Sequence, residues 1–335
     1  MTRVLITGVG GFLGSHLADS FLNKNYEVIG IDNFLGGYVE NVPVGVQNFE
    51  ADLDDLDLIG PFFEGVDIVV HNACTAYEGL SVFSPALITR NTSQITANVV
   101  SASISTGVKK IVYMSSMARY GRQDFLPFTE DMTPKPQDPY GIAKYASELL
   151  IKNLCETHNL KYAILVPHNI IGPRQKYDDP YRNVASIMIN RMLQGKQPII
   201  YGDGEQKRCF SFIQDVVDPL MRVCETDIVD GTVTNIGPDE EFISINSLAQ
   251  KIASILNFEL APIYMPGRPQ EVLEANCSAE KARKYLNYNT STTLVDGLTQ
   301  LANWINQKGA KPFNYHLPIE FITQSTPETW TKKLM

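Results

Sequence analysis

The chain has 335 residues, of which 44% are apolar and 19% charged; this is the composition of a folded globular protein and excludes a disordered chain or a disulfide-stapled miniprotein. Asp and Glu total 37 against 28 Lys and Arg, a net charge of −9, so nucleic acid is a poor partner, although a local basic pocket for a small phosphate stays open. Five scattered cysteines (Cys74, Cys155, Cys209, Cys224 and Cys277) form no CxxC pair, no apolar run approaches a membrane span, and His71 near Cys74 lacks a second ligand pair; the expectation is a cytoplasmic chain with reduced thiols, no membrane contact and no metal.

Over the first 170 residues short β-branched runs alternate with helical stretches. Val4 to Ile6, Val28 to Ile31, Val66 to Val70, Ile111 to Met114 and Ala163 to Val166 read as buried parallel strands. His16 to Asn23, Thr92 to Thr106 and Gly141 to His158 read as the helices between them. Alternation of this kind predicts βαβ units and an α/β fold, a doubly wound parallel sheet of the Rossmann type. Past Asn169 the rhythm breaks at Gly172-Pro173-Arg174, Tyr201-Gly202-Asp203-Gly204 and Pro266-Gly267-Arg268-Pro269, which suits a smaller, irregular α/β region over the carboxyl edge of the sheet. The expected division is a dinucleotide-binding domain over 1–168 and mainly a substrate domain and tail over 169–335, with a segment near 209–237 packing back onto the sheet. The tail from Pro312 wraps the surface and suggests no function.

The first strand runs into Gly8-Val9-Gly10-Gly11-Phe12-Leu13-Gly14 and then a helix. Glycines at 8, 11 and 14 permit a tight turn, close approach to a pyrophosphate and close helix–strand packing, and the helix amino terminus offers N–H groups to phosphate. Asp32 ends the next strand, where a carboxylate takes both adenosine ribose hydroxyls and repels a 2′-phosphate; no Lys or Arg follows it directly, so NAD is expected over NADP.

Tyr140-Gly141-Ile142-Ala143-Lys144 starts a helix after Pro139, and the spacing of four puts phenol and ammonium on one face. An ammonium beside a phenol lowers the phenol pKa towards a value useful for proton transfer. Such a spacing also arises by chance among 15 tyrosines, so its context decides. Ser115-Ser116 falls at the carboxyl end of a buried strand, where open α/β sheets bind ligands, and a hydroxyl there can hold a substrate oxygen against the tyrosine. Ser116, Tyr140 and Lys144 are therefore the candidate catalytic residues.

These residues, in this order, resemble the extended short-chain dehydrogenase/reductases, and among them the nucleotide-sugar epimerases of the UDP-galactose 4-epimerase type. The resemblance runs from Thr7 to about Ala282 and includes Asp32-Asn33, Asp52-Leu53, His71-Asn72-Ala73, Asn91, Tyr120-Gly121, Asn169 with Gly172-Pro173-Arg174, Arg208, and Arg268-Pro269 with Glu271-Val272. It implies that Gly8, Gly11, Phe12, Leu13, Asp32, Asn33, Asp52, Leu53, Asn72, Ala73, Asn91, Tyr140 and Lys144 bind NAD. It also implies that Ser116, Met117, Arg119, Asn169, Arg208 and Arg268 line a nucleotide-sugar site, the last three at the diphosphate, where guanidiniums form paired hydrogen bonds to phosphate oxygens.

Some positions depart from the family pattern. Arg119 stands where an aliphatic residue is common, and either contacts an acidic sugar substituent or closes an ion pair. His168 either lines the nucleotide pocket or is packed. Gln270 replaces a frequent glycine, and Ala275, at the position that gates sugar bulk, leaves room for an N-acetyl group. Met117 and Ala118 supply no acid beside Ser116, as a dehydratase or decarboxylase needs. The resemblance thus implies C4 epimerisation of a UDP-hexose by a homodimer with retained NAD, the dimer formed through helices near 85–106 and 140–157. The alternatives are a nucleotide-sugar dehydrogenase or dehydratase and, on the same fold without catalysis, a dinucleotide sensor.

Overall fold

The computed structural model describes residues 1–335. One parallel sheet contains β1 (Arg3–Thr7), β2 (Glu27–Asp32), β3 (Gln47–Glu50), β4 (Ile68–His71), β5 (Lys110–Met114), β6 (Lys161–Pro167) and β7 (Val233–Ile236). Their spatial order is β3-β2-β1-β4-β5-β6-β7. The order reverses between β1 and β4, and a crevice at that switch point, outside the carboxyl ends of the strands, is where such sheets bind ligands. The polar edge strand β3 carries no apolar alternation to betray it; its Phe49 stacks on Phe62 with centroids 4.0 Å apart.

Strand residues alternate between two cores. Val4, Ile6, Val70, Val112 and Leu165 face α1 (Phe12–Asn23), whereas Leu5, Val69, Ile111, Tyr113 and Ile164 face the opposite layer. That layer holds α3 (Ile95–Thr106) and α4 (Pro139–His158), packed against each other beyond the short helix α2 (Glu78–Ser81). The turn entering α3, Arg90–Gln94, widens to π-type hydrogen bonding with Asn91 at φ −80° and ψ 16°, a distortion that often accompanies binding sites.

Beyond β6 lie α5 (Val184–Leu193), α6 (Ile213–Glu225), α7 (Ile245–Leu256) and α8 (Leu294–Lys308). Helices α5, α7 and α8 pack together, while α6 returns to pack on α1 and leads to β7 at the sheet edge. The core on the α1 face runs without interruption from Val4 to Leu298. Short strand pairs complete the second region, with Lys207–Arg208 lying between Ile243–Ser244 and Glu274–Ala275.

The tail is docked rather than peripheral. Trp330 is buried against Phe83 and Tyr181, Ser84 Oγ donates to the Pro318 carbonyl, and the Glu320 carboxylate accepts the Ala86 and Leu87 N–H groups of a free helix end. No helix is long and apolar enough to cross a membrane.

Candidate active site

A cleft follows the carboxyl edge of the sheet from the Gly8–Gly14 turn to Arg268. All of the predicted cofactor residues line it: Gly8, Gly11, Phe12, Leu13, Asp32, Asn33, Asp52, Leu53, Asn72, Ala73, Asn91, Tyr140 and Lys144. Ser116, Asn169, Arg208 and Arg268 line it as well.

The dinucleotide end is built from backbone. Gly8 holds φ +74°, donates its N–H to the Ile31 carbonyl at 2.8 Å, and leaves no room for a Cβ, which would sit 3.0 Å from the Ala73 Cα. Gly11 caps α1 with no side-chain hydrogen bond and no acidic residue in the first turn, so the leading N–H groups stay open to a phosphate. Asp32 Oδ2 accepts the Gly10 N–H at 2.8 Å and Oδ1 the Phe34 N–H at 2.7 Å. Burial pushes this carboxyl above its ordinary value and the backbone donors pull it back. A glycine cradle, an uncapped helix end and a carboxylate beyond it fit NAD: phosphates at the helix, ribose at Asp32.

Behind the cradle a relay fixes the next loop. Thr7 Oγ1 accepts the N–H groups of Asn72 and Ala73 at 3.1 Å each and faces His71 Nδ1 at 2.8 Å, while His71 Nε2 faces Thr96 Oγ1 at 3.0 Å. Thr96 donates to the Thr92 carbonyl, so the bond from His71 must carry its proton on Nε2, and the ring is the neutral tautomer. Burial depresses His71 to about 3 and His168 to about 4. Folded, both stay neutral; the unfolded chain takes up protons below about pH 6.5. Stability is therefore full above that pH and falls by about 1.4 kcal/mol per pH unit for each histidine on acidification, the His168 share ending near pH 4 and the His71 share near pH 3. Urea midpoints between pH 7 and 4 are expected to show a shallower slope in His168→Asn than in the parent.

Asp138 caps α4 by accepting the Gly141 N–H at 2.9 Å, and Pro139 pre-sets its first turn, which presents Tyr140 and Lys144 one turn apart. Lys144 Nζ donates to the Met114 carbonyl at 2.7 Å and lies 4.8 Å from the Tyr113 ring centre and 5.9 Å from that of Tyr140. The phenol of Tyr140 is pushed up, not down: burial dominates, the Cys74 thiol adds to it, and Lys144 and a hydrogen bond with Ser116 only partly offset it. In the protein alone, Tyr140 is thus a neutral acid, contrary to the expectation from Lys144 by itself. Ser116 caps the turn Met117–Arg119, accepting the Ala118 N–H at 3.2 Å.

That turn corrects two sequence expectations. Met117 points into an apolar cluster with Tyr120, Phe128 and Cys277 rather than into the cleft. Arg119 is buried and pairs with Glu148 at 2.8 Å, its guanidinium 4.7 Å from the centre of the Tyr120 ring, and does not line the cleft. Glu148 also accepts from Ser115. Replacing Arg119 by Met is expected to cost about 3 kcal/mol, the low end for breaking a buried pair, because Glu148, already raised by burial, escapes by protonating. Thermal melts of Arg119→Met and Arg119→Met/Glu148→Gln test this, with the double variant recovering most of the loss. Ala275 likewise faces the Met117 cluster instead of gating the cleft, and His168 is packed, its ring facing the Pro238 carbonyl at 2.8 Å. Gln270 holds φ +61°, the conformation glycine usually supplies.

At the far end Asn169 donates to the Cys209 carbonyl at 2.9 Å, Arg208 Nη1 to the Lys207 carbonyl at 2.8 Å and the Leu273 carbonyl at 3.1 Å, and Arg268 to Glu271 at 2.8 Å while covering the Tyr201 ring. Among the wall groups without a sequence signal are Glu78, Arg182 (which donates to the Gly36 carbonyl at 3.1 Å) and Met335.

The family model for the NAD dependent epimerase/dehydratase family matches residues 4–237. A putative UDP-glucose 4-epimerase of Methanocaldococcus jannaschii is 33% identical over 90% of this chain and 98% of its own length. The crystal structure of Thermotoga maritima UDP-glucose 4-epimerase with UDP-glucose superposes with a TM-score of 0.87 at 30% identity, covering 92% of this chain and 99% of that one. The Bacillus cereus UDP-glucuronic acid 4-epimerase variant, in complex with NAD and UDP-4-deoxy-4-fluoro-glucuronic acid, superposes with a TM-score of 0.85 at 27% identity over 92% of this chain and all of that one. With cradle, carboxylate and Tyr140–Lys144 helix placed as described, this chain belongs to the NAD-dependent epimerase/dehydratase family of extended short-chain dehydrogenase/reductases.

Proposed function

We propose that the protein interconverts the C4 epimers of a UDP-hexose through a 4-keto sugar. The observation that carries this reading is one cleft holding Ser116, Tyr140 and Lys144 beside the cradle and, further along, the guanidiniums of Arg208 and Arg268. NAD, held at the Gly8–Gly14 turn and Asp32, supplies the acceptor and return donor of the C4 hydride and, in its oxidised form, a positive charge. Tyr140, which would ionise once the positive charge of bound NAD is added to that of Lys144, takes the C4 hydroxyl proton at Oη and later returns it, and Ser116 Oγ fixes the C4 oxygen against it. Lys144, its ammonium anchored on the Met114 carbonyl, supports the phenolate and orients the cofactor ribose. Arg208 and Arg268 hold the diphosphate, which anchors the nucleotide while the keto sugar turns over. The two residues after Ser116 supply no acid to eliminate water: Met117 faces the core and Ala118 is apolar.

The test incubates purified protein, without added NAD, with UDP-glucose, UDP-N-acetylglucosamine or UDP-glucuronate and follows the anomeric protons by NMR. A C4 epimer from one of them supports the reading; silence from all three, matching Tyr140→Phe, overturns it. The reading includes a homodimer through the 85–106 and 140–157 helices, where Ile142 and Leu149 stand exposed; a monomer in sedimentation at micromolar concentration rules that out.

A further inference from the structure

Glu78 is the one carboxylate of the cleft wall that the fold does not use. It makes no side-chain hydrogen bond and no ion pair, whereas Asp32 caps backbone, Asp138 caps α4 and Glu271 is engaged by Arg268. Its backbone is held firmly. Ser81 Oγ donates to the Glu78 carbonyl at 2.7 Å and to Asp138 at 3.3 Å, and the preceding Tyr77 is buried with its hydroxyl on Asp179. On the other side, Gly79 lies so close to Arg268 that a Cβ there would sit 3.1 Å from its Nη1. Glu78 thus stands in the cleft wall between Asp138, two residues before Tyr140, and the Arg208/Arg268 pair. The charged and titratable groups around it are Asp138, which caps α4, and Tyr140 in that helix's first turn, Arg208 from the strand Lys207–Arg208, and Arg268 and Glu271 from the loop before Glu274–Ala275.

In a nucleotide hexose the anomeric carbon bears the diphosphate, and C4 stands across the ring from it. If C4 reacts at Tyr140 and the diphosphate sits on the arginines, the ring spans the interval that Glu78 faces. We infer that Glu78 sets the sugar class of this site, accepting a neutral hexose through hydrogen bonds from its hydroxyls and turning away nucleotide sugars whose ring carries a carboxylate. This rests on the epimerase reading above. It reverses the preference that Arg119 would have implied, since that cation is spent on Glu148. A second carboxylate a few ångströms from Glu78 meets like charge inside a walled cleft, which amounts to about 100-fold in selectivity. Although the Glu78 side chain is open to the cleft, the protein walls around it and Asp138 raise its carboxyl to about 7 against the pull of the two arginines, so its repulsion of an acid is strongest above neutrality.

The test compares kcat/KM for UDP-glucose and UDP-glucuronate in the NAD-loaded parent and in Glu78→Gln, with Glu78→Ala as a second variant should the first fold poorly. The parent is expected to favour UDP-glucose by about 100-fold at pH 8 and by less at pH 6. Glu78→Gln should gain at least tenfold on UDP-glucuronate, lose activity on UDP-glucose, and show no such pH effect on the ratio. A parent ratio near one, or a ratio that Glu78→Gln leaves within twofold, overturns the inference. So does a 4-keto-6-deoxy product whose formation requires Glu78, which would make it an eliminating acid/base instead. Failure of the epimerase reading looks different: neither sugar turns over in the parent. Calorimetric titration of both UDP-sugars into Tyr140→Phe and Tyr140→Phe/Glu78→Gln then still decides whether Glu78 rejects the acid.

Discussion

Tyr140→Phe is expected to lower kcat about 1,000-fold while NAD content and melting temperature stay close to those of the parent. Only the Oη atom is removed. The ring keeps its place in the apolar cluster that also holds Tyr77, Ala118, Tyr181 and Trp330, and the phenol is a poorly solvated group whose loss costs the fold little. What disappears is the one group positioned to take the C4 proton, and general acid–base catalysis by a placed side chain contributes on the order of 100- to 10,000-fold. Because the phenol acts on the reacting atom and the arginines hold the diphosphate, KM should move far less than kcat. Lys144→Met offers the contrast. It removes the ammonium anchored on the Met114 carbonyl, and with it a predicted contact to the cofactor ribose, so both rate and NAD content should fall. Comparable kcat in parent and Tyr140→Phe, by NMR at saturating UDP-sugar, sinks the assignment of the base.

The parts of this site legible in the sequence are those built from local rules. A strand running into Gly8, Gly11 and Gly14, a carboxylate ending the next strand and a Tyr/Lys pair one turn apart are each set by neighbours in the chain, and the parallel sheet carries them to one edge. Met117 and Arg119 went astray because a single helical turn capped by Ser116 decides which way residues 117–119 point, and that turn directs Arg119 to Glu148, a helix away. Glu78 and Arg182 gave no signal, since their place in the cleft comes from tertiary packing of loops against Asp138 and Gly36. The tail was opaque for the same reason. Nothing in Pro312 to Met335 shows that Trp330 packs on Tyr181 or that Met335 reaches the cleft. The edge strand β3 escaped because a polar strand paired on one side needs no apolar alternation.

Gly14→Ala should empty the protein of NAD, to below about a tenth of stoichiometric content, and lower its melting temperature by about 10 °C. Gly14 lies in the first turn of α1, directly over Gly8, and an added Cβ would sit 2.1 Å from the Gly8 oxygen, 2.9 Å from its carbonyl carbon and 3.1 Å from the Val9 Cα. All three are backbone atoms, so no side chain can swing aside. Nor can Gly8 yield, because its N–H is bonded to Ile31, its oxygen accepts the Gly11 N–H, and its own Cα faces Ala73 across the turn. The helix must therefore lift away from β1. Lifting it opens the contact of Leu17 and Phe21 with the sheet, which is the stability cost, and carries the open N–H groups behind Gly11 out of phosphate reach, which is the binding cost. Gly60→Ala is the matched control: that residue is helical at φ −46° with nothing within 4 Å of an added Cβ, and the same methyl there should leave the melt and the NAD content unchanged. Nucleotide released by denaturation and quantified by chromatography reads the first effect, and calorimetry the second. If Gly14→Ala retains a full complement of NAD, the cradle is not where the pyrophosphate binds. If only the melt falls, the clash is real but the helix end is not what holds the cofactor.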